Sequence, residues 1–236
     1  MVPFETAREE VNELVHPVLS LDLSPEALKE SSELREDSMF LGSGKGLPLL
    51  LNTIYGQDRE AFLALEDTFC EAFPEYKRVL TWPSAAKEGK VGLSLFFKTS
   101  GGRDLPAPVV SDGALRFLAY LALRFVSTPP KSLLVEEPEN GVHLQRLKDI
   151  VAELRNLQTQ KGTQIILTTH SPYFLDLVEP EEVFVFSKDE EGAAHAKRLS
   201  EFGEVEKLKE HFRTGEIWTE FDEHDIVFGK GKDADK

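Results

Sequence analysis

Cysteine is nearly absent. Cys70 is the only one in 236 residues, so no internal disulfide can form and a cysteine-based zinc site lacks its ligands. That scarcity reads as a reducing compartment. Long apolar runs are missing too. The most apolar stretch, Leu115 to Val126, is interrupted by Arg116 and Arg124, and nothing approaches the roughly 18–20 apolar residues of a spanning helix. The N-terminus carries Glu5, Glu9 and Glu10 where a signal peptide needs a basic start and an apolar core. The expectation is a cytoplasmic chain without a membrane partner. Positive charge is also scarce: 27 Lys and Arg stand against 42 Asp and Glu, a formal charge of −15. Non-specific nucleic-acid binding depends on cations that displace counterions. A stand-alone nucleic-acid coat is therefore excluded, whereas a local basic patch is not.

What is present is an ordinary globular composition, 41% hydrophobic and 29% charged, too apolar for a disordered chain. The length suits one large domain or two small ones. Residues 1–40 are acidic and weakly periodic, with one helix start at Ser24-Pro25-Glu26, a cap followed by proline at the first helical position. Over Asp58 to Phe73, Phe62, Leu65, Phe69 and Phe73 recur at spacings of three and four, which predicts a helix with one apolar face, stopped by Pro74. That stripe reads as core. VGLSLFFKTSGGRDLPAPVV reads as an alternating strand, a Gly101-Gly102 turn and an extended return.

After Ser111 the pattern changes to strands alternating with helices, the mark of a parallel sheet. Asp112 to Val126 and Val142 to Leu157 are expected helices. Ser132 to Glu136, Gln164 to Thr169 and Glu182 to Ser187 are expected strands, the first of the fully buried kind. GEIWTEF, with Trp218 and Phe221, reads as a C-terminal clip. Asp222 to Asp225 has metal-ligand residue types but reads as a solvated turn on an extended tail, and the segment from Gly229 as disordered.

Three segments stand where open α/β sheets place ligands, beyond strand ends or at helix starts. Ser111-Asp112-Gly113 opens a helix; Ser111 is either a simple cap or part of an anion site built on free N–H groups and the helix dipole. Glu136 and Glu137 end an apolar strand. They are either a solvated pair or a magnesium ligand beside a residue that orients a water. His170 ends the next strand, as a satisfied edge histidine or as a donor over a phosphate or water. Ser171 beside it does not form a hydrolase pair, since neighbouring residues face different ways.

In this order the segments resemble the C-terminal part of an ABC-type ATPase head, of the SMC/RecF-like and OLD-like AAA ATPases. VSDGALRFLAYLAL resembles the signature helix, LLVEEPENGVH the Walker B and D-loop, and IILTTHSPYFLDLV the switch-histidine segment. The resemblance covers residues 40–220 and is strongest from Val109 to Val178. It implies an α/β fold with a mostly parallel sheet flanked by helices, of the P-loop NTPase kind, preceded by a helical insertion. It divides the chain into an insert region at 1–100, the motif-bearing lobe at 101–213, and a clip and tail at 214–236. ATP and Mg2+ are the implied cofactors. Glu137 takes the place of the catalytic glutamate and His170 that of the switch histidine. Glu136 stands where relatives carry the metal-linked aspartate. Ser111, Asp112 and Gly113 would reach a nucleotide held by an opposite subunit, with Asn140, Gly141 and His143 at the same interface.

Such a site needs a P-loop, GxxxxGKS/T, whose amides and lysine hold phosphates. The 236 residues contain none. Leu41 to Gly46 (LGSGKG) is a decoy: Met39 replaces the first glycine, Gly46 the hydroxyl residue, and no apolar strand precedes it. It reads as a flexible loop. The expected partner is therefore a P-loop-bearing subunit, with DNA reached only indirectly through a complex. The expected setting is DNA maintenance or phage defence, with little ATP hydrolysis by the chain alone. A silent regulatory module and a metal-dependent phosphohydrolase built on Glu136, Glu137 and His170 are the alternatives.

Overall fold

The computed structural model describes residues 18–33, 40–85 and 91–229; the acidic N-terminal segment and the expected disordered tail beyond Gly229 lie outside them. The chain forms two compact units that meet at Thr168–Thr169.

The first unit starts with β1 (Val18–Leu21), α1 (Pro25–Lys29) and β2 (Ser32–Glu33). As its sequence predicts, α1 is capped by Ser24, whose side chain accepts from the amide of Ala27. Two helices follow, α2 (Leu47–Gln57) and α3 (Arg59–Ala72), the latter capped by Asp58. Its apolar stripe is buried, and Phe69 stacks at 5.2–6.4 Å on Phe73, Tyr76, Phe97 and Phe117. β3 (Tyr76–Ala85), β4 (Val91–Thr99) and β5 (Asp104–Pro106) form an antiparallel sheet with β2, in the order β2-β4-β3 with β5 paired to β4. The region expected to be helical thus also carries β3. Pro83 breaks its ladder donors, which an edge strand tolerates, and β3 is such an edge.

α4 (Asp112–Phe125), β6 (Ser132–Glu136), α5 (Leu144–Lys161) and β7 (Gln164–Thr168) complete the unit. The fold is α/β, with a parallel sheet of order β1-β6-β7 and helices packed along it. β1, hidden in the acidic N-terminal stretch, was not legible as a strand. The pleat sends alternate residues to opposite faces. One face carries Leu21, Leu133 and Val135 into the core, at 0–2% exposure. The other presents Val18, Leu134 and Ile166 at 59%, 37% and 53% exposure.

The second unit holds α6 (Pro172–Leu175), β8 (Phe184–Lys188), β9 (Ala194–Arg198), α7 (Val205–Leu208), α8 (Thr214–Glu220) and α9 (Glu223–Phe228). β8, expected to continue the alternation of strands and helices, instead forms an antiparallel hairpin with β9. The reason is its turn: Asp189 donates to the Ala193 carbonyl at 3.0 Å and Gly192 takes φ +86°. The GEIWTEF clip is α8, with Ile217 packed in a core with Val185, Leu199 and Phe202. Asp222 to Asp225 is not an extended tail: Asp222 caps α9 by accepting from the His224 amide at 2.8 Å.

Candidate functional site

β6 and β7 run parallel, with Glu136 level with Thr168. Just past the register, the amide of Glu137 donates to the Thr168 carbonyl at 3.0 Å. Both acids are therefore fixed at the carboxyl end of the sheet, Glu136 exposed and Glu137 half-buried. Glu137 has φ +41°, and among the described residues it is the one non-glycine residue in the left-handed region. Such a conformation costs about 1–3 kcal/mol and tends to mark functional positions. It turns the chain abruptly off the strand. Asn140 donates to the Glu137 carbonyl, Val142 to that of Glu139, and Gly141 follows at φ +71°. The turn delivers His143, whose Nδ1 accepts from the Gln145 amide at 3.3 Å and caps α5.

At the start of α4, Ser111 Oγ accepts from the Ala114 amide at 3.3 Å, so the capping role expected of it is realised. Asp112 pairs with Lys29 Nζ at 2.5 Å and ties α1 to α4. Gly113 is where the two motif segments meet: a Cβ there would stand 3.3 Å from the Gly141 carbonyl oxygen. The geometry thus brings Ser111, Asp112 and Gly113 together with Asn140, Gly141 and His143. Ser111, Asn140, Gly141 and His143 are all exposed on one part of the unit.

Two buried side chains near the turn were not singled out in the sequence. Arg116 is 8% exposed, its buried Nε makes no hydrogen bond, and it lies 3.5 Å from where a Cβ on Gly141 would be. In the sequence it looks like a mere break in an apolar run. Tyr120, one turn on, is buried, which raises its phenol pKa; Arg116 lowers it, and Glu139 and Asp22 add to the rise.

His170 belongs to the second unit, two residues beyond the end of β7, and is exposed. Its neighbour Ser171 caps α6 by accepting from the Phe174 amide at 3.3 Å, a structural role that accounts for the serine. The Gly42–Gly46 decoy proves to be a hydrogen-bonded connector rather than a free loop. The Gly42 and Ser43 carbonyls accept from the amides of Asp22 and Ser24, and the Gly44 amide is used on Leu41. A phosphate cradle needs free amides, and a Cβ on Gly42 would sit 2.0 Å from the Ser20 carbonyl oxygen. Its glycines serve close packing.

Among the described residues no group of three or more His, Cys, Asp or Glu side chains is placed to hold a metal ion. The donor set at the strand tip suits magnesium only as part of a larger shell, since that ion is often held by one or two carboxylates with substrate phosphates and water. No helix among these residues is long and apolar enough to cross a membrane.

A family model described as "AAA domain, putative AbiEii toxin, Type IV TA system" matches residues 6–176. The chain belongs to this family. This AAA-domain chain is also 31% identical over 77 residues to the "Probable ATP-dependent transporter ycf16" of Antithamnion sp.. It is 26% identical over 78 residues to the "ATP/GTP phosphatase" of Helicobacter pylori. These matches cover 31% and 32% of the chain, and 30% and 21% of those curated relatives. Among solved structures, one described as "Structural biochemistry of ATP-driven dimerization and DNA stimulated activation of SMC ATPases" aligns with a TM-score of 0.46 and 14% identity. It covers 68% of this chain and 96% of the other. An SMC head bound to the C-terminal winged-helix domain of ScpA aligns at 0.47 and 13%, over 78% and 56% of the two chains. The AAA chain is thus ATPase-like in its family and its curated relatives.

Proposed function

We propose that the chain supplies the signature, acid and histidine half of an ATP-hydrolysing site that is completed by a P-loop-bearing partner. The observation that carries this reading is the close approach of Gly113 to the Gly141 carbonyl. It puts the Ser111-Asp112-Gly113 helix start beside the turn that issues from Glu136 and Glu137.

Glu137 is the residue that orients a water and takes its proton as the water oxygen bonds to the terminal phosphorus and the bond to the leaving diphosphate breaks. Its left-handed backbone fixes the direction of the carboxylate without recourse to a flexible loop. His170 donates a hydrogen bond to the transferred phosphoryl group. The start of α4 offers amides and a helix dipole to phosphate oxygens of a nucleotide held by the partner. Glu136 would help to hold Mg2+ through its shell of water and phosphate; that ion supplies charge neutralisation on the phosphates. Asn140, Gly141 and His143 line the partner interface. A role in phage defence or DNA maintenance, with DNA reached through the complex, fits the toxin–antitoxin description of the family and the acidic charge.

Titration calorimetry tests the reading: MgATP should bind only when the chain is mixed with a partner carrying strand–GxxxxGKS–helix. Hydrolysis by that mixture should fall by at least about a hundredfold in Glu137→Gln. Tight binding and turnover by the chain alone would refute the composite site. One pair of observations favours a second reading, a catalytically silent partner-binding module: the Ser111 hydroxyl is used as a cap and Asp112 is paired with Lys29. That module would leave function in cells unchanged by Glu137→Gln.

A further inference from the structure

His170 stands between two hydrogen bonds that tie down its backbone. Before it, Thr169 Oγ1 accepts from the Ser171 amide at 3.0 Å. After it, Ser171 Oγ accepts from the Phe174 amide at 3.3 Å and starts α6, which is only four residues long. A helix that short does not hold itself in water, because its few hydrogen bonds cannot offset the cost of nucleation. The turn that carries the histidine needs outside support. Within the second unit α8 packs against it.

The seat of α8 on α6 is closely made. Thr214 is buried and its hydroxyl donates to the Val178 carbonyl at 2.6 Å, while the Gly215 amide donates to Asp176 Oδ1 at 2.9 Å. Gly215 lies so near α6 that a Cβ there would overlap the Pro172 carbonyl and stand 2.8 Å from Asp176 Oδ1. Pro172 is two residues past His170, and its carbonyl also accepts from the Asp176 amide at 2.9 Å. One turn along α8, Ile217 enters the hydrophobic cluster of Val185, Leu199 and Phe202. α8 is thus anchored in the core of the second unit and closed onto α6.

We infer that α8 is the positioning element of His170: Thr214, Gly215 and Asp176 are positioning residues that hold α6, and through it the direction of the histidine. The inference rests on the composite-site reading, in which His170 donates a hydrogen bond to the transferred phosphoryl group, and it adds what keeps that donor aimed. A misplacement of about 1 Å can cost about a hundredfold in rate, and a four-residue helix without a support allows it. Ordinary packing would be served by apolar contact alone. Here two hydrogen bonds and a glycine approach all fall on residues 172–178, which directly follow the histidine.

The test uses the whole chain and two variants of the seat. Gly215→Ala sets a methyl group against the Pro172 carbonyl; Thr214→Val removes the hydroxyl at nearly constant shape, and Thr214→Ser restores it. The first readout needs no nucleotide: the imidazole NMR signals of His170, assigned by their loss in His170→Gln. Gly215→Ala and Thr214→Val, each with an unchanged melting transition, should shift and broaden them. Amide exchange at Phe174 and Leu175 should quicken by about tenfold or more, and Thr214→Ser should stay near wild type in both measurements. The second readout is hydrolysis in the mixture with the P-loop-bearing partner. In either variant kcat should fall by about tenfold or more with KM within about twofold, and the loss should vanish in the His170→Gln background. Should Gly215→Ala unfold, Thr214→Val and its rescue by serine decide. His170 signals that stay in place overturn the inference, as does a kcat that neither variant lowers or a loss that adds in full to that of His170→Gln. Displaced signals without hydrolysis by any mixture would refute the composite site and leave the positioning of His170 by α8 standing.

Discussion

The two faces of the β1-β6-β7 sheet are made by the same strands, one residue out of step. Leu133 and Val135 point into a core shared with α4 and α5, whereas Leu134 and Ile166 point outward. The inner row is apolar, whereas the outer face mixes Leu134 and Ile166 with Ser20, Ser132, Gln164 and Thr168. The polar side chains are what a half-exposed sheet carries on its open face, and Leu134 and Ile166 are the apolar residues set among them. The difference separates side chains that folding buries from side chains that it leaves exposed, and it can be probed at single residues.

The largest effect should come from the buried row. Leu133→Ala is expected to cost about 2–5 kcal/mol, the loss of transfer energy plus a cavity, measured by urea unfolding. A loss below about 1 kcal/mol would mean that the core of the unit lies elsewhere. Next comes the tip that both rows reach. Glu137→Gly should stabilise the chain by up to about 1 kcal/mol, since glycine adopts φ +41° without the Cβ penalty, while abolishing hydrolysis in the complex. Lower stability would show that the carboxylate braces the turn. Leu134→Ser on the outer row should change the isolated chain's stability by no more than about 0.5 kcal/mol.

The smallest effect concerns a charge between the helices that back the buried face. Glu153 is buried and lies 2.9 Å from Arg124. Burial raises its pKa, and Arg124 partly opposes the rise. The folded chain therefore keeps this proton to higher pH than the unfolded chain. The stability it contributes is complete below the unfolded value, about 4.3, and is lost as pH rises through the raised folded value. Unfolding of the wild type minus that of Glu153→Gln should follow that course in the mildly acidic range. A difference that grows with pH instead would mean that the pairing with Arg124 outweighs burial.

Much of the first unit was legible because its elements are strongly patterned. β6 begins and ends where the sequence puts it, and α3, α4 and β7 depart by a residue or so at an end. β1 was hidden because four residues in an acidic stretch carry too little periodicity to stand out. β3 was hidden by Pro83. β8 was read as one more strand of the alternation because its return strand, AHAKR, has no apolar alternation to announce a hairpin. At the candidate site, the motif order pointed to the acids and the helix start, and the structure adds the close approach of Gly113 to Gly141. Arg116 was passed over for a physical reason: a buried cation inside an apolar helix cannot be told by sequence alone from an exposed one.

The edge of β7, unpaired among the described residues, also bears on how much of this chain a cell can tolerate. A parallel strand of QIILT with no guard is a template for further strands, copies of itself included. Surplus chain would therefore be held by chaperones, degraded or deposited, and its abundance would be tied to that of whatever covers the edge. Making the protein alone at high level should yield aggregates, and Ile166→Glu should keep more of it dispersed.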